Sequence, residues 1–238
     1  MARVKHAAYC GTRNVYGDME TAAKSLIANS DVGRVHFLIE DATFPRELPD
    51  IVECHDVSGQ AWFPEDGPNY SHGWTWMTLM RAVLCYVLPD VDAVLSLDTD
   101  TIAVRDCSVA WDVPLDGCYF AATHEKWADC RPGLMYCNMG VALHNLAQLR
   151  DGKADEIIDA LNRQRMGWPD QDAMSYLCQG FIAPMPPEYN ACPWTDDTHE
   201  PDRIVHYAAR DDWRDEPTVA KYRDMTWDEA MRLHGSHL

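Results

Sequence analysis

The sequence predicts a single α/β domain, a mostly parallel sheet flanked by helices on both faces. Three observations carry this reading. Short β-rich runs alternate with stretches of helical period through the first hundred residues. The run 91–97 is almost wholly apolar, as a central strand buried on both faces must be. The 238 residues are 47% apolar and 24% charged, which suits one large core and excludes global disorder.

Taken in order, residues 4–10 read as a first strand ended by Gly11. Residues 16–29 carry Met19, Ala22, Ala23, Leu26 and Ile27 at helical spacing. Two β-rich runs follow at Arg34–Ile39 and 51–57, and then a loop over 58–73 holding Gly59, Pro64, Gly67, Pro68 and Gly73. Helical periodicity returns over 74–88 and stops at Pro89, ahead of the apolar strand. In the second half, 117–123 and 138–144 read as strands, and 155–165 and 171–178 as helices. A proline-rich loop spans 184–201, 203–207 is a last short strand, and 226–233 is a terminal helix. Thr226 and Glu229 have the spacing of a capping box at its start.

Charge narrows the function. With 38 acidic against 20 basic residues, the net charge of −18 repels nucleic-acid backbones and anionic lipid surfaces. No stretch approaches the ~20 apolar residues of a membrane span, and Met1–Tyr9 has no signal-peptide core. The nine cysteines are odd in number, and no two stand in a C-x-x-C spacing. They read as reduced, mostly buried thiols, so the expected location is the cytoplasm. A homodimer is left open.

The sharpest local signal is Leu97-Asp98-Thr99-Asp100, an apolar strand ending in two carboxylates one residue apart. Ligands bind at the carboxyl ends of strands in open α/β sheets. Carboxylates this close need a cation or a proton between them. Hard oxygen donors favour Mg²⁺ or Mn²⁺, which can bridge a diphosphate. Alone, the pair equally suits a solvated acidic turn.

Segment order around this pair resembles glycosyltransferase family 8, from about Ala7 to His206. The first-strand loop Gly11-Thr12-Arg13-Asn14-Val15-Tyr16 is similar to the family's uridine-binding turn. Arg81 is similar to the basic residue on the helix before the metal motif, and Asp98-Thr99-Asp100 is similar to that motif. Asn138-Met139-Gly140-Val141 resembles the segment whose Asn contacts the donor sugar, although Met replaces a small residue. Asp170-Gln171-Asp172 resembles the segment near the anomeric carbon, and Pro187-Glu188-Tyr189-Asn190 another family stretch. Ile204-Val205-His206 is similar to the strand supplying a third metal ligand.

The resemblance implies a GT-A, Rossmann-like fold, with a nucleotide-binding half over about 1–105 and a sugar and acceptor half over about 106–238. It implies a retaining enzyme that moves a hexose from a UDP-sugar to a hydroxyl of a saccharide or glycoconjugate acceptor, with Mn²⁺ (or Mg²⁺) held by Asp98, Asp100 and His206. Thr12, Arg13, Asn14, Tyr16, Arg81, Asp98, Thr99, Asp100, Asn138 and Asp170 would bind the nucleotide sugar. Asp170, Gln171 and Asn138 would sit at the reacting centre, with no covalent intermediate on Gln171.

Some residues keep a second reading. His206 also suits a satisfied core histidine, Asn138 a strand-turn residue, and Asp170 a helix N-cap. Trp62, Trp74, Trp76, Trp127 and Trp194 suit packing more than acceptor stacking. One departure stands out. Where the family places a Gly and then a diphosphate-binding Lys after the His, this chain has Ala209 and Asp212, with Arg210 out of register. Two rival functions are a haloacid dehalogenase-type phosphatase, with Asp211-Asp212 as its late acidic pair, and a non-catalytic donor-binding scaffold. Against the phosphatase, Ile102 stands where Thr or Val belongs.

Overall fold

The computed structural model describes residues 4–44, 47–71, 75–125, 133–192 and 201–237. In chain order its strands and helices are β1 (His6–Gly11), α1 (Tyr16–Ala28), β2 (Arg34–Ile39), β3 (Val52–Asp56), α2 (Leu84–Val87), β4 (Ala93–Leu97) and β5 (Thr101–Ala103). They continue with β6 (Phe120–His124), β7 (Cys137–Asn145), α3 (Leu146–Leu149), α4 (Lys153–Arg163), α5 (Pro169–Leu177) and β8 (Ile182–Pro184). The last are β9 (Ile204–His206), α6 (Pro217–Asp224) and α7 (Trp227–His234).

Seven strands form one sheet in the order β3-β2-β1-β4-β7-β6-β8. It is mostly parallel, as expected. Only β7 opposes its neighbours, running antiparallel to both β4 and β6. Alternate residues of a strand face opposite sides. Accordingly Ala7 and Tyr9 of β1 join a core with α1 and α7, while Ala8 joins a second core with α2, α4 and α5. Both faces are thus covered by helices.

The chain runs outward from β1 through β2 to β3, then returns with β4 on the other side of β1. That reversal opens a crevice between the carboxyl ends of β1 and β4, the place where such sheets bind ligands. The close crossing of α1 over the end of β1 leaves little room at Gly11, where a Cβ would stand 2.4 Å from Met19 Sδ and 2.9 Å from Val15 Cγ2.

One expectation is corrected in detail. The span 74–88 is not one α-helix: Trp76–Val83 winds as a 3₁₀ helix, and only Leu84–Val87 is α-helical. A 3₁₀ helix stacks positions three apart in one row. Thr75, Thr78 and Arg81 accordingly all reach the same cavity wall. The last short strand is present as β9, which pairs with β5 in a separate two-stranded sheet. The terminal helix has its capping box in full, with Glu229 N–H donating to the Thr226 hydroxyl and Thr226 N–H to the Glu229 carboxylate.

Candidate active site

The crevice at the β1–β4 switch holds a cavity of about 410 Å³. Its walls come from the β1 loop, the 3₁₀ helix, the turn after β4, the β6 and β7 ends, the start of α5, and β9 with its following turn.

Asp98 and Asp100 sit on a tight turn leaving β4. The Asp98 carbonyl accepts from the Thr101 hydroxyl at 2.7 Å, and Asp98 N–H donates to the Gly140 carbonyl at 2.8 Å. The small sheet then delivers the third residue. Thr101 of β5 is in register with His206 of β9, which sets the imidazole beside the turn. His206 Nε2 lies 3.4 Å from Asp98 Oδ2 and 3.4 Å from Asp100 Oδ1. Its Nδ1 is 2.9 Å from Asn190 Oδ1. With that nitrogen donating to Asn190, Nε2 presents its lone pair to the two carboxylates.

These donors fit a divalent ion. The three side chains offer one ligand atom each, all within 4.8 Å of one another. The His206 ring lies so close to the β7 backbone that only glycine fits there. A Cβ on Gly140 would stand 2.0 Å from His206 Cε1. Without a metal, burial pushes the His206 pKa down, but the Asp100 carboxylate outweighs it and the net shift is upward. In that state a proton on His206 takes part of the cation's electrostatic role.

Arg81, buried by its neighbours, pairs with Asp98 through one terminal nitrogen and with Asp170 at 2.5 Å through the other. Its Nε has no hydrogen-bond partner among the described residues. Asp170 is therefore not the N-cap of α5; Trp168 holds that position and Asp170 turns inward. The start of the helix is served instead by Asp172, whose carboxylate accepts from Gly167 and Trp168 N–H at 2.8 and 3.1 Å.

Asn138 and Gln171 come together on a residue not singled out from the sequence. Both side-chain amides donate to Glu125 Oε2, at 2.7 and 3.2 Å. Asn138 Oδ1 also accepts from Gly140 N–H and from the Asn190 side chain, each at 2.9 Å. Glu125 and Asn190 line the cavity. Asn190 stood in a recognised stretch, but Glu125 follows β6 with no motif around it.

In the β1 loop, Thr12 and Asn14 line the cavity, as does Thr99 after β4. Arg13 and Tyr16 are not in its wall. Arg13 is exposed, with its backbone N–H donating to Glu40, and Tyr16 is buried against Phe44 at 4.8 Å between ring centres. Cys10 also reaches the cavity, but burial pushes its thiol up to about 12, so it stays protonated and is not a nucleophile.

After His206, Ala209 takes the place of the family glycine with φ of 59°, in the left-handed region. Arg210 is absent from the cavity wall and pairs with Asp212 at 2.9 Å and Glu216 at 2.8 Å. The cation that does line the cavity here is Arg214, which also pairs with Asp18 at 2.6 Å. Trp62 and Trp76 pack against Tyr86 and Tyr70, while Trp74, Trp127 and Trp194 lie outside the described residues.

An α/β switch-point cleft lined by two carboxylates and a histidine is a site able to hold a divalent ion beside a bound substrate. The sequence agrees: the family model "Glycosyl transferase family 8" matches residues 6–213, and the chain belongs to that family. It is a glycosyltransferase. The phosphatase reading falls with this assignment.

Among solved structures, the fold is similar to the galactosyltransferase LgtC in complex with donor and acceptor sugar analogs, with a TM-score of 0.71 and 20% identity, covering 97% of this chain and 95% of that one. It is also similar to the apo glycosyltransferase GlyE of Streptococcus pneumoniae TIGR4, with a TM-score of 0.74 and 19% identity, over 98% of this chain and 64% of that one. Mouse xyloside xylosyltransferase 1 gives a TM-score of 0.62 at 16% identity, over 87% of this chain and 98% of that one. At these identities the likeness establishes the fold. No curated protein sequence matches the chain significantly. Among the described residues no helix is long and apolar enough to cross a membrane.

Proposed function

We propose that the protein is a retaining hexosyltransferase that takes a UDP-sugar as donor and a saccharide or glycoconjugate hydroxyl as acceptor, with Mn²⁺ or Mg²⁺ as cofactor. The observation that carries this reading is the convergence of Asp98, Asp100 and His206 at the strand-switch crevice. Those three residues would hold the ion, which when bound supplies Lewis acidity against the negative charge building on the diphosphate.

The remaining work falls to the chain. Thr12 and Asn14 face the nucleotide, while Arg13 and Tyr16 shape the loop behind them. Arg214, rather than Arg210, offsets diphosphate charge where the family lysine is missing. Arg81 fixes the Asp98 and Asp170 carboxylates relative to each other. Asp170 and the Asn138–Glu125–Gln171 cluster orient the sugar hydroxyls. Holding both substrates in one pose removes orientational entropy from the barrier. As the bond from the anomeric carbon to the phosphate oxygen breaks, its electron pair leaves with UDP. The acceptor oxygen bonds the same face, and its proton passes to a donor phosphate oxygen.

Trp168, 48% exposed at the cavity rim, offers an aromatic face to an acceptor sugar. In this reading the nucleotide sits on the half ending near residue 105, and sugar and acceptor on 106–238. The cysteine pattern, odd in number and without a C-x-x-C pair, supports a cytoplasmic location.

The test is turnover of a panel of UDP-hexoses with saccharide acceptors. The expected result is UDP release that needs Mn²⁺ or Mg²⁺, and an α-linked product from an α-linked donor by the anomeric proton coupling. A β-linked product, or equal turnover in chelator, overturns the proposal. Donor binding without any turnover across the panel would favour the scaffold reading.

A further inference from the structure

We propose that His36, Glu53 and His55 form a second metal site, for a divalent transition ion of the zinc class, at the β2–β3 edge of the main sheet. The site rests on the strand ladder. His36 of β2 is paired with Glu53 of β3, and His55 with Leu38 two residues on. Residues two apart share a face. The parallel register therefore gathers two imidazoles and a carboxylate on one side of the sheet.

The distances suit an ion. His36 Nδ1 lies 3.0 Å from His55 Nε2 and 3.7 Å from Glu53 Oε2. One ligand atom from each of the three falls within 4.8 Å of the others. Ligands ~2.0–2.2 Å from a tetrahedral ion stand ~3.3–3.6 Å apart, so small adjustments would seat one. None of the three lines the donor cavity.

A second shell is already built. His36 Nε2 is 3.0 Å from His6 Nδ1, and the two rings meet edge to edge, nearly coplanar, with centres 5.3 Å apart and 8° between their planes. If Nε2 carries the proton and donates to His6, Nδ1 turns its lone pair toward Glu53 and His55. That is the arrangement by which a second-shell acceptor fixes the tautomer of a metal-bound histidine. His36 is 4% exposed at its side chain and Glu53 60%. The site thus has a buried floor and an open mouth through which an ion can enter.

Two nitrogens and one oxygen select differently from the donor-site pair of carboxylates. Imidazole favours Zn²⁺, Co²⁺, Ni²⁺ and Cu²⁺, whereas oxygen-rich sets suit Mg²⁺ and Mn²⁺. An ion here would clip the edge strand β3 to β2 without touching the reaction.

The experiment uses the metal-stripped full chain carrying Asp100→Asn, which weakens the donor site. Zn²⁺ is titrated by calorimetry and Co²⁺ by its visible absorption. The expected result is one remaining equivalent bound, with the absorption of a four- or five-coordinate Co²⁺. Adding His55→Ala should weaken Zn²⁺ by more than ~100-fold, since even second-shell losses cost 10–100-fold. Glu53→Gln, at an exposed position that leaves folding intact, should weaken it by at least ~10-fold. Zn²⁺ affinity unchanged by both substitutions, or no binding before they are made, overturns the proposal.

Discussion

Gly140 and His206 occupy one space: the imidazole lies where any side chain on residue 140 would have to go, with a built Cβ only 2.0–2.8 Å from three ring atoms. The contact ties a β7 backbone position to the histidine of β9. Gly140→Ala should push the ring away from Asp98 and Asp100. The expected outcome is a loss of ~1–3 kcal/mol of stability from overpacking, together with a rise of at least tenfold in the Mn²⁺ concentration needed for half-maximal activity. Melting curves and metal titrations of the variant check both.

With His206 as a ligand, metal affinity should depend on pH. Its folded pKa is raised in the metal-free protein, because Asp100 outweighs the opposing effect of burial. The stability this proton adds is therefore fully present below the unfolded value near 6.5, and is lost as pH rises through the higher folded value. Metal must displace the same proton. Mn²⁺ affinity should therefore climb, by up to about tenfold per pH unit, until the pH passes the folded pKa, and then level off. Calorimetry from pH 6 to pH 9 measures the profile. The same burial means that the core-residue and ligand readings of His206 are not exclusive. His206→Ala should lower the metal-free melting temperature and also remove the stabilisation conferred by Mn²⁺ plus UDP.

Arg214 and Arg210 should separate cleanly. Arg214→Ala is expected to raise the donor KM about tenfold, because this cation lines the cavity. Arg210→Ala should leave the donor KM within twofold, since Arg210 is held by Asp212 and Glu216. Ala209→Gly should stabilise the protein by ~1 kcal/mol by relieving a left-handed alanine. Steady-state kinetics and urea unfolding of the three variants decide these points.

Arg81 and Asp170 form a buried pair whose two halves predict different losses. Arg81→Leu leaves Asp170 without its cation and should cost ~3–5 kcal/mol of stability. Asp170→Asn keeps a hydrogen-bonding partner for Arg81. It should reduce kcat by ~100-fold or more with UDP affinity nearly unchanged, the mark of an interaction made in the transition state. Parallel falls in UDP affinity and kcat would assign Asp170 a structural role only.

Much of this site was legible because strand chemistry is local. The apolar run into Asp98 marks a buried strand and its carboxyl end, and His206 sits on a run too apolar to be a surface loop. The helical segments were legible where one face is wet, as in α4, whose buried positions Ala154, Ile157 and Leu161 recur at helical spacing. The 3₁₀ winding of Trp76–Val83 was not, because six of its eight residues are buried and no polar face marks the period. Strand β5 is three residues long, too short for any alternation to register. The antiparallel direction of β7 is set by how the chain returns to the sheet, which no local pattern encodes. Glu125 was missed because its role depends on Asn138 and Gln171, which meet it only in the folded chain.

The most direct test of the account is UDP binding measured by calorimetry in Mn²⁺ and in chelator, on wild type and His206→Ala. A carboxylate pair that must be neutralised before a diphosphate can approach predicts wild-type binding at least ~100-fold weaker in chelator. It also predicts His206→Ala binding that is weak in both conditions. Equal UDP affinity with and without the metal would contradict the role given to Asp98, Asp100 and His206.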